Sequence, residues 1–179
     1  WVARGLARPW TDAFHVATPA GLGATKTGPV RYAAGAGLRS LVEDLLTGQH
    51  VQQQVQVGRV GPGPTVDGAA YDAVVVAMPD PQALQLLDPS LEPERAALAN
   101  RAWDPVLALA AGWDTRDWEL DGCFVNDSAV LSWVADDGRR RGDGAPVLVA
   151  HSTPDFAAPR LQDADAAAPL MVQELRAVL

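Results

Sequence analysis

The sequence predicts an α/β fold made of two structural territories. Residues 37–78 have the pattern of a helix that leads into strands of a covered sheet, whereas residues 106–151 hold four strand-like stretches without a helix between them. Strands that follow one another without helices are typical of an antiparallel sheet. The chain has 179 residues and is 48% hydrophobic, which is enough to bury a core and excludes a disordered protein.

The charge balance narrows the class of protein. The chain carries 14 basic and 22 acidic residues, a net charge of −8, which argues against a nucleic-acid binder. The basic run at residues 139–141 has aspartates on both sides and is predicted to be a solvated hairpin turn. Cys123 is the single cysteine, which excludes a disulfide framework and fits a reducing cytoplasm. We therefore expect a cytoplasmic protein without a membrane span.

The two ends of the sequence predict an internal fragment. The chain opens on Trp1 rather than Met, and the first residues lack the pattern of a signal peptide. At the other end, residues 166–179 read as a helix that stops while it is still apolar and has no Gly or Asn stop signal. We expect a longer parent protein that extends beyond both ends.

The first half of the chain is predicted to contain one amphipathic helix. Residues 1–30 are predicted to form a short helix followed by a loop, because turn formers cluster at residues 18–21 and 27–29. The helix opens after Gly35-Ala36-Gly37, and Gly48 is a plausible stop. Its apolar positions share one face and are Leu38, Leu41, Val42, Leu45 and Leu46.

Two strands are predicted after this helix. Residues 55–60 alternate between apolar and polar positions, which is the period of a half-exposed strand. The Gly-Pro-Gly-Pro run at residues 61–64 must break it. Residues 71–78 are a continuous apolar run of strand length, typical of a strand covered on both faces, and Pro79 ends it.

The rest of the chain is predicted to be two short helices followed by a sheet. The helices are residues 80–88 and 91–100, and the second has acidic residues near its positive end. Turn clusters separate the four strand-like stretches that follow, which are residues 106–113, 123–126, 130–135 and 146–151.

Several motifs have plain structural explanations. Gly35 and Gly37 resemble part of a dinucleotide loop, but no strand is predicted before them and Ser40 stands at the third glycine position, so a closely packed helix start is favoured. His151 follows an apolar strand, where a histidine often only satisfies a backbone carbonyl. The histidines lack zinc spacing, and no serine has a nucleophile-elbow motif. Strand tryptophans are more often core than ligand-binding.

Taken together, the motifs resemble the middle of FAD-dependent amine-oxidase-type flavoproteins. This resemblance is carried by Arg31-Tyr32, Gly35-x-Gly37-Leu38-x-Ser40-Leu41-Val42, Val57-Gly58-Arg59-Val60 and Tyr71-Asp72-Ala73-Val74-Val75-Val76-Ala77-Met78-Pro79. The continuation is similar to the bacterial renalase-like branch. It comprises Trp103-x-Pro105-Val106-Leu107-Ala108-Leu109, Gly122-Cys123-Phe124-Val125-Asn126-Asp127, Leu131-Ser132-Trp133-Val134-Ala135 and Val147-Leu148-Val149-Ala150-His151-Ser152, with Phe156 and Leu161.

The resemblance implies a two-domain flavoprotein in which a Rossmann-type FAD domain is interrupted by a substrate domain. Residues 31–79 would belong to the FAD domain, and residues 1–30 and 80–179 to a substrate domain with an antiparallel sheet that is cut at its C-terminus. Strand ends in such sheets are where ligands bind. The implied cofactor-binding residues are Val60, which contacts the adenosine end through its backbone, and Ala77, Met78 and Pro79. The implied catalytic residues are Asn126 and His151, with Trp133 walling the substrate cavity.

The implied reaction is hydride transfer from a reduced small molecule, a dihydronicotinamide or an amine, to flavin, with dioxygen as the final acceptor. His151 would orient the substrate or relay a proton. The family's Gly-x-Gly-x-x-Gly loop, acidic ribose ligand and C-terminal Gly-Asp segment are not in this sequence, so the isolated chain is expected to be inactive and not to bind FAD tightly. The alternatives are a non-catalytic binding module or decayed paralogue, and a carotenoid or porphyrinogen oxidase-like flavoenzyme with a larger apolar cavity.

Overall fold

The computed structural model describes residues 1–179 and divides into two compact units. The first unit comprises Trp1–Gln49 and Asp104–Leu179, and the second comprises His50–Trp103. The fold is mixed α/β, with a six-stranded sheet in the first unit and a small three-stranded sheet in the second.

The first unit holds six strands and four helices. They are, in chain order, β1 (Arg8–Thr18), β2 (Gly21–Ala33), α1 (Arg39–Leu45), β6 (Ala108–Gly112), β7 (Gly122–Val125), β8 (Leu131–Asp136), α4 (Asp137–Arg141), β9 (Val147–Ser152), α5 (Pro154–Ala157) and α6 (Ala164–Val178). The second unit holds β3 (Val60–Gly61), β4 (Thr65–Val66), β5 (Ala69–Ala70), α2 (Asp80–Leu86) and α3 (Glu92–Ala99).

The six-stranded sheet has the order β2-β1-β7-β8-β9-β6. Strand β1 pairs in parallel with β7, and every other neighbouring pair is antiparallel. The predicted antiparallel arrangement of the last four strands is therefore confirmed. This parallel pair joins two strands that are far apart in the chain and are not connected by a hairpin.

One face of this sheet is covered by α6. The helix presents buried side chains that recur at intervals of three or four residues and pack on the sheet. Alternate residues of the strands meet them, so one face of each strand is apolar and closed. The buried core consists of Ala17, Trp118, Leu120, Cys123, Val125, Leu131, Val134, Leu148, Ala150, Phe156, Ala167, Met171, Leu175 and Val178.

The prediction for residues 1–30 is wrong. The chain forms a 3-10 turn at Val2–Arg4 and then a long hairpin of β1 and β2. The turn formers at residues 18–21 make the tight hairpin connection, where Gly21 adopts a positive φ of 117°. β2 is an exposed edge strand, a position that tolerates Pro29 and the glycines which argued against a strand.

The prediction of a turn at residues 139–141 is also wrong. These residues form the end of the short helix α4, which connects β8 to β9. Asp137 pairs with Arg140 and Arg141, three and four residues further along, a spacing that a helix brings together. These two arginines and their hydrogen bonds hold the pKa of Asp137 below its usual value, although its partial burial acts in the opposite direction.

The second unit confirms the two predicted helices, α2 and α3, and corrects the two predicted strands. Of residues 55–60 only Val60 lies in a strand, which is the start of an antiparallel meander. Residues 71–78 form no strand, and Val75 is 88% exposed. The run is apolar enough for a covered strand, but no other segment of this unit pairs with it.

No helix is both long enough and apolar enough to span a bilayer.

Candidate functional site

The side of the six-stranded sheet that faces away from α6 carries an open row of aromatic side chains. Phe124 on β7 pairs with Trp133 on β8, which in turn pairs with His151 on β9. Directly paired residues of neighbouring strands point to the same side of a sheet. Phe124 is 48% exposed, whereas Trp133 and His151 are half-buried. We call Phe14, Phe124, Trp133 and His151 together the aromatic face.

The rings of the aromatic face contact one another, and Phe14 meets Phe124 and Trp133 edge to face. The Phe14 centroid lies 5.7 Å from that of Phe124 and 6.3 Å from that of Trp133, with interplanar angles of 75° and 77°. The Trp133 and His151 rings are 5.1 Å apart and inclined by 45°. Contacts of this geometry stabilise each ring's orientation. The face is therefore a preformed aromatic surface rather than a set of independent side chains.

Phe14 occupies its place because β7 begins with a glycine. A β-carbon at Gly122 would lie 3.0 Å from the Phe14 ring and 2.9 Å from the carbonyl oxygen of Val134. The guanidinium carbon of Arg31 on β2 lies 4.1 Å from the centre of the Phe14 ring, a cation–π contact. The aromatic face thus has a positive charge at one end.

His151 is free to act toward a ligand. Its imidazole contacts Trp133 and forms no hydrogen bond within the chain, while its backbone carbonyl accepts one from the Ser132 hydroxyl. The interpretation that this ring only satisfies a backbone carbonyl is therefore not what the structure shows. Ala108, its partner on β6, is small and exposed, so the imidazole is open on that side.

Asn126 lies near this face but apart from His151. It follows β7 directly, its side chain is exposed, and its backbone N–H donates to the carbonyl of Ala17 at 2.8 Å. Two strand spacings, about 10 Å, separate β7 from β9. Asn126 and His151 can therefore contact the same extended ligand but not each other.

One polar group at the edge of the aromatic face has no partner. The indole N–H of Trp10 is buried and donates no hydrogen bond, and its ring lies 5.4 Å from that of Phe14. A buried donor without an acceptor costs stability. Trp10 therefore keeps an unpaired donor beside the Phe14 ring.

In the second unit, three of the four predicted cofactor residues share a cavity. Val60, Ala77 and Met78 line a space of about 160 Å³. Pro79 lies at the N-cap of α2, where its carbonyl accepts from the N–H groups of Gln82 and Ala83. Val60, Ala77 and Met78 therefore lie around one cavity, whereas Pro79 caps a helix.

The surroundings of Val60 fit an aromatic base. Val60 also borders a larger apolar cavity of about 500 Å³, in which Glu94 is the one charged lining residue. A flat ring suits such a space, whereas a pyrophosphate would need cationic groups that the lining does not offer. The Val60 carbonyl accepts the Asp88 N–H at 2.8 Å, so this oxygen already has one hydrogen bond within the second unit.

Arg141 fills the space beside the glycine pair before α1. A strand, β2, does lead into this loop, contrary to the prediction. A β-carbon at Gly37 would lie 3.3 Å from the guanidinium of Arg141, and one at Gly35 would lie 3.3 Å from the carbonyl oxygen of the same residue. The glycines therefore permit close packing against α4, as the sequence predicted. No group of three His, Cys, Asp or Glu side chains is placed to hold a metal ion.

Sequence reasoning identified Trp133 and His151 but missed Phe14, Phe124 and Arg31. The sequence signal for Phe14 is its spacing from Trp10, and both residues lie in the segment that is predicted to be a helix and a loop. They are four positions apart, a spacing that suits either one face of a helix or one side of a strand. Only the register of β1 with β7 brings Phe14 to the aromatic face.

A scan against models of protein families matched none of them, and a search of curated proteins gave no match either.

Proposed function

We propose that this chain is part of an FAD-dependent oxidoreductase of the renalase-like, amine-oxidase type, and that the aromatic face binds the reacting rings. The observation that supports this proposal is an open, preformed surface of Phe124, Trp133 and His151 on one side of a sheet whose other side is closed. When bound, the flavin supplies hydride acceptance. The chain supplies an open aromatic surface against which a flat ring can lie.

Each residue has a distinct role in this proposal. Trp133 stacks on or beside the ring and holds its plane. His151, whose imidazole has no partner in the chain, donates or accepts one hydrogen bond and fixes the ring's rotation. Asn126 offers an amide to the far end of the same ligand. In the second unit, considered by itself, Val60, Ala77 and Met78 provide an apolar cavity for an adenine ring.

The charge beside the face favours one of the two donor classes. Arg31 lies over Phe14, so the end of the aromatic face is positive. A dihydronicotinamide carrying phosphate groups would be attracted to this end, whereas a protonated amine would be repelled. We therefore propose a reduced nicotinamide nucleotide as the hydride donor.

The binding test is a titration of the 179-residue chain with riboflavin, followed by flavin fluorescence, and separately with a reduced nicotinamide dinucleotide. Trp133→Ala is expected to weaken riboflavin binding about fivefold, since one aromatic stacking contact contributes about 1 kcal/mol. Arg31→Gln is expected to weaken the dinucleotide and spare riboflavin. The matched control is His15→Ala, because His15 pairs with Cys123 and so belongs to the opposite side of the sheet.

The reaction test adds excess flavin, which removes the need for tight cofactor binding. Under anaerobic conditions, the chain should accelerate the bleaching of flavin by the reduced dinucleotide, and His151→Ala should slow it. Binding without acceleration would favour the alternative, a non-catalytic module that keeps the sheet for contacts. Absence of riboflavin binding, or equal binding by Trp133→Ala, would overturn the proposed role of the aromatic face.

A further inference from the structure

A cavity of the first unit lies beside α6, away from the aromatic face. Its volume is about 510 Å³, within the range of small-molecule sites. The walls come from the β7–β8 loop, α5 with the 3-10 turn after it, and α6. The lining residues are Ala129, Val130, Asp155, Phe156, Arg160, Leu170, Gln173 and Glu174.

A fixed positive charge lies on one wall of this cavity. The guanidinium of Arg160 sits 4.1 Å from the centre of the Phe156 ring, and its Nη1 donates to the Phe156 carbonyl at 2.8 Å. These two contacts fix the guanidinium plane while leaving its other N–H groups without a partner in the chain. A guanidinium held in this way is suited to a carboxylate.

A fixed negative charge lies on another wall. Oε1 of Glu174 accepts the hydroxyl of Ser128 at 2.5 Å. That hydroxyl oxygen is itself fixed, because it accepts the backbone N–H groups of Val130 and Leu131, both at 3.1 Å. The second carboxylate oxygen has no partner in the chain. Glu174 therefore presents an oriented acceptor to a cationic group.

The two charges do not satisfy each other. Neither Arg160 nor Glu174 takes part in an ion pair, although both line one cavity and both are half-buried. Partly desolvated charges gain from opposite charges more than fully hydrated ones do. A ligand with an anionic and a cationic end would pair both groups at once.

Apart from Asp155 and Gln173, the rest of the lining is apolar, and the loop wall is held in place. Val130, Phe156 and Leu170 supply its apolar surface. Thr153 fixes the loop wall, because its N–H donates to the Val130 carbonyl at 2.9 Å and its hydroxyl donates to the Ala129 carbonyl at 3.0 Å. A ligand with an apolar side chain between its charged groups and this surface would fill the space.

We propose that this cavity binds a small zwitterion with an apolar side chain, of the α-amino-acid class, with its carboxylate on Arg160 and its ammonium group on Glu174. This site is separate from the aromatic face and does not depend on the proposed oxidoreductase activity. Asp155 adds a second carboxylate to the lining.

The test is calorimetric titration of the 179-residue chain with leucine, leucinamide and N-acetyl-leucine. Leucine carries both charges, leucinamide lacks the carboxylate, and N-acetyl-leucine lacks the ammonium group. We expect leucine to bind with a Kd of about 1 mM and each singly charged analogue to bind about tenfold more weakly. Equal affinities for the three compounds, or no saturable binding of leucine, would overturn the proposal.

Variants assign the binding to this cavity. Glu174→Gln keeps an acceptor for the Ser128 hydroxyl and should weaken leucine about tenfold while leaving N-acetyl-leucine unchanged. Arg160→Gln should weaken leucine and leave leucinamide unchanged, and thermal unfolding reports whether it still folds. The control is Arg176→Gln. Arg176 is exposed and lies on α6, as Glu174 does, but it does not line this cavity. Unaltered leucine binding by Glu174→Gln would contradict the assignment even if Arg160→Gln failed to fold.

Discussion

Replacement of Asp136 tests the support beneath the aromatic face, because this residue ends β8, the strand that carries Trp133. Its carboxylate is fully buried and accepts the indole N–H of Trp118 and the backbone N–H of Arg139, both at 2.7 Å. Nη2 of Arg116 donates to Oδ1 at 3.2 Å, and Nε lies 3.2 Å from Oδ2 without the alignment of a hydrogen bond. The Asp136 carboxylate therefore accepts hydrogen bonds from Trp118 and Arg139 and also neutralises the charge of Arg116.

The expected cost follows from what Asp136→Ala leaves behind. A half-buried guanidinium would lose its counter-charge, a buried indole would lose its acceptor, and α4 would lose its N-cap. Removal of one partner of a buried ion pair costs about 3 to 5 kcal/mol, and the other losses overlap with it rather than add. We expect a fall of about 4 kcal/mol in the free energy of unfolding for Asp136→Ala and of about 2 kcal/mol for Asp136→Asn, which keeps one acceptor.

The assay is urea unfolding followed by tryptophan fluorescence, with thermal unfolding as a second measurement. A loss of about 4 kcal/mol corresponds to a fall in Tm of about 8 to 16 °C for a chain of this size. The control is Asp12→Ala, an exposed aspartate on β1 whose side chain makes no hydrogen bond. If Asp136→Ala were no more destabilising than Asp12→Ala, the buried network would not have the role described.

Three further predictions address other parts of the fold. Burial raises the pKa of the Cys123 thiol from 9.0 to about 11, so this thiol should resist thiol reagents in the native state. Because the thiol of the unfolded chain ionises first, the free energy of unfolding should fall as the pH rises from 9.0 to about 11, and this fall should be absent in Cys123→Ala. Gly122→Ala should cost about 2 kcal/mol in urea unfolding, because its methyl group would crowd the Phe14 ring; an unchanged midpoint would contradict this. Val75→Thr should leave Tm unchanged and reduce aggregation measured by light scattering, because Val75 is 88% exposed; unchanged scattering would show that this run does not drive association.

The sheet from β6 to β9 could be predicted because its signals are local. Each strand is a short apolar or alternating run bounded by Gly and Asp turns, and these features depend only on neighbouring residues. The hairpin of β1 and β2 could not be predicted in the same way. Its place in the sheet depends on the pairing of His15 with Cys123, more than one hundred residues away, and an edge strand tolerates Gly and Pro.

Residues 71–78 show a different limit of sequence reasoning. A continuous run of valines indicates that the segment is apolar enough to be buried on both faces. It does not indicate whether other segments of the chain pack against it or pair with it. Val74, Val75 and Val76 all line the cavity of about 160 Å³, and Val75 is nevertheless 88% exposed. The prediction of a strand was physically reasonable, and it failed because pairing needs a second strand.

Only part of the aromatic face could be predicted from the sequence, because its arrangement also depends on how the strands pair. His151 and Trp133 were identified through family resemblance, whereas the open row to which they belong is a product of strand register. A shift of one residue would turn Trp133 toward α6. The proposed function therefore depends on the register of β7, β8 and β9 as much as on the residues themselves.

The most direct test is an NMR measurement of intermolecular nuclear Overhauser effects between riboflavin and the 179-residue chain. The proposed function predicts cross-peaks from the methyl protons of the flavin ring to the indole of Trp133 and the imidazole of His151, and their loss in Trp133→Ala. Cross-peaks confined to other residues, with the signals of Trp133 and His151 unperturbed at saturating riboflavin, would contradict the assignment of the aromatic face as the ring-binding site.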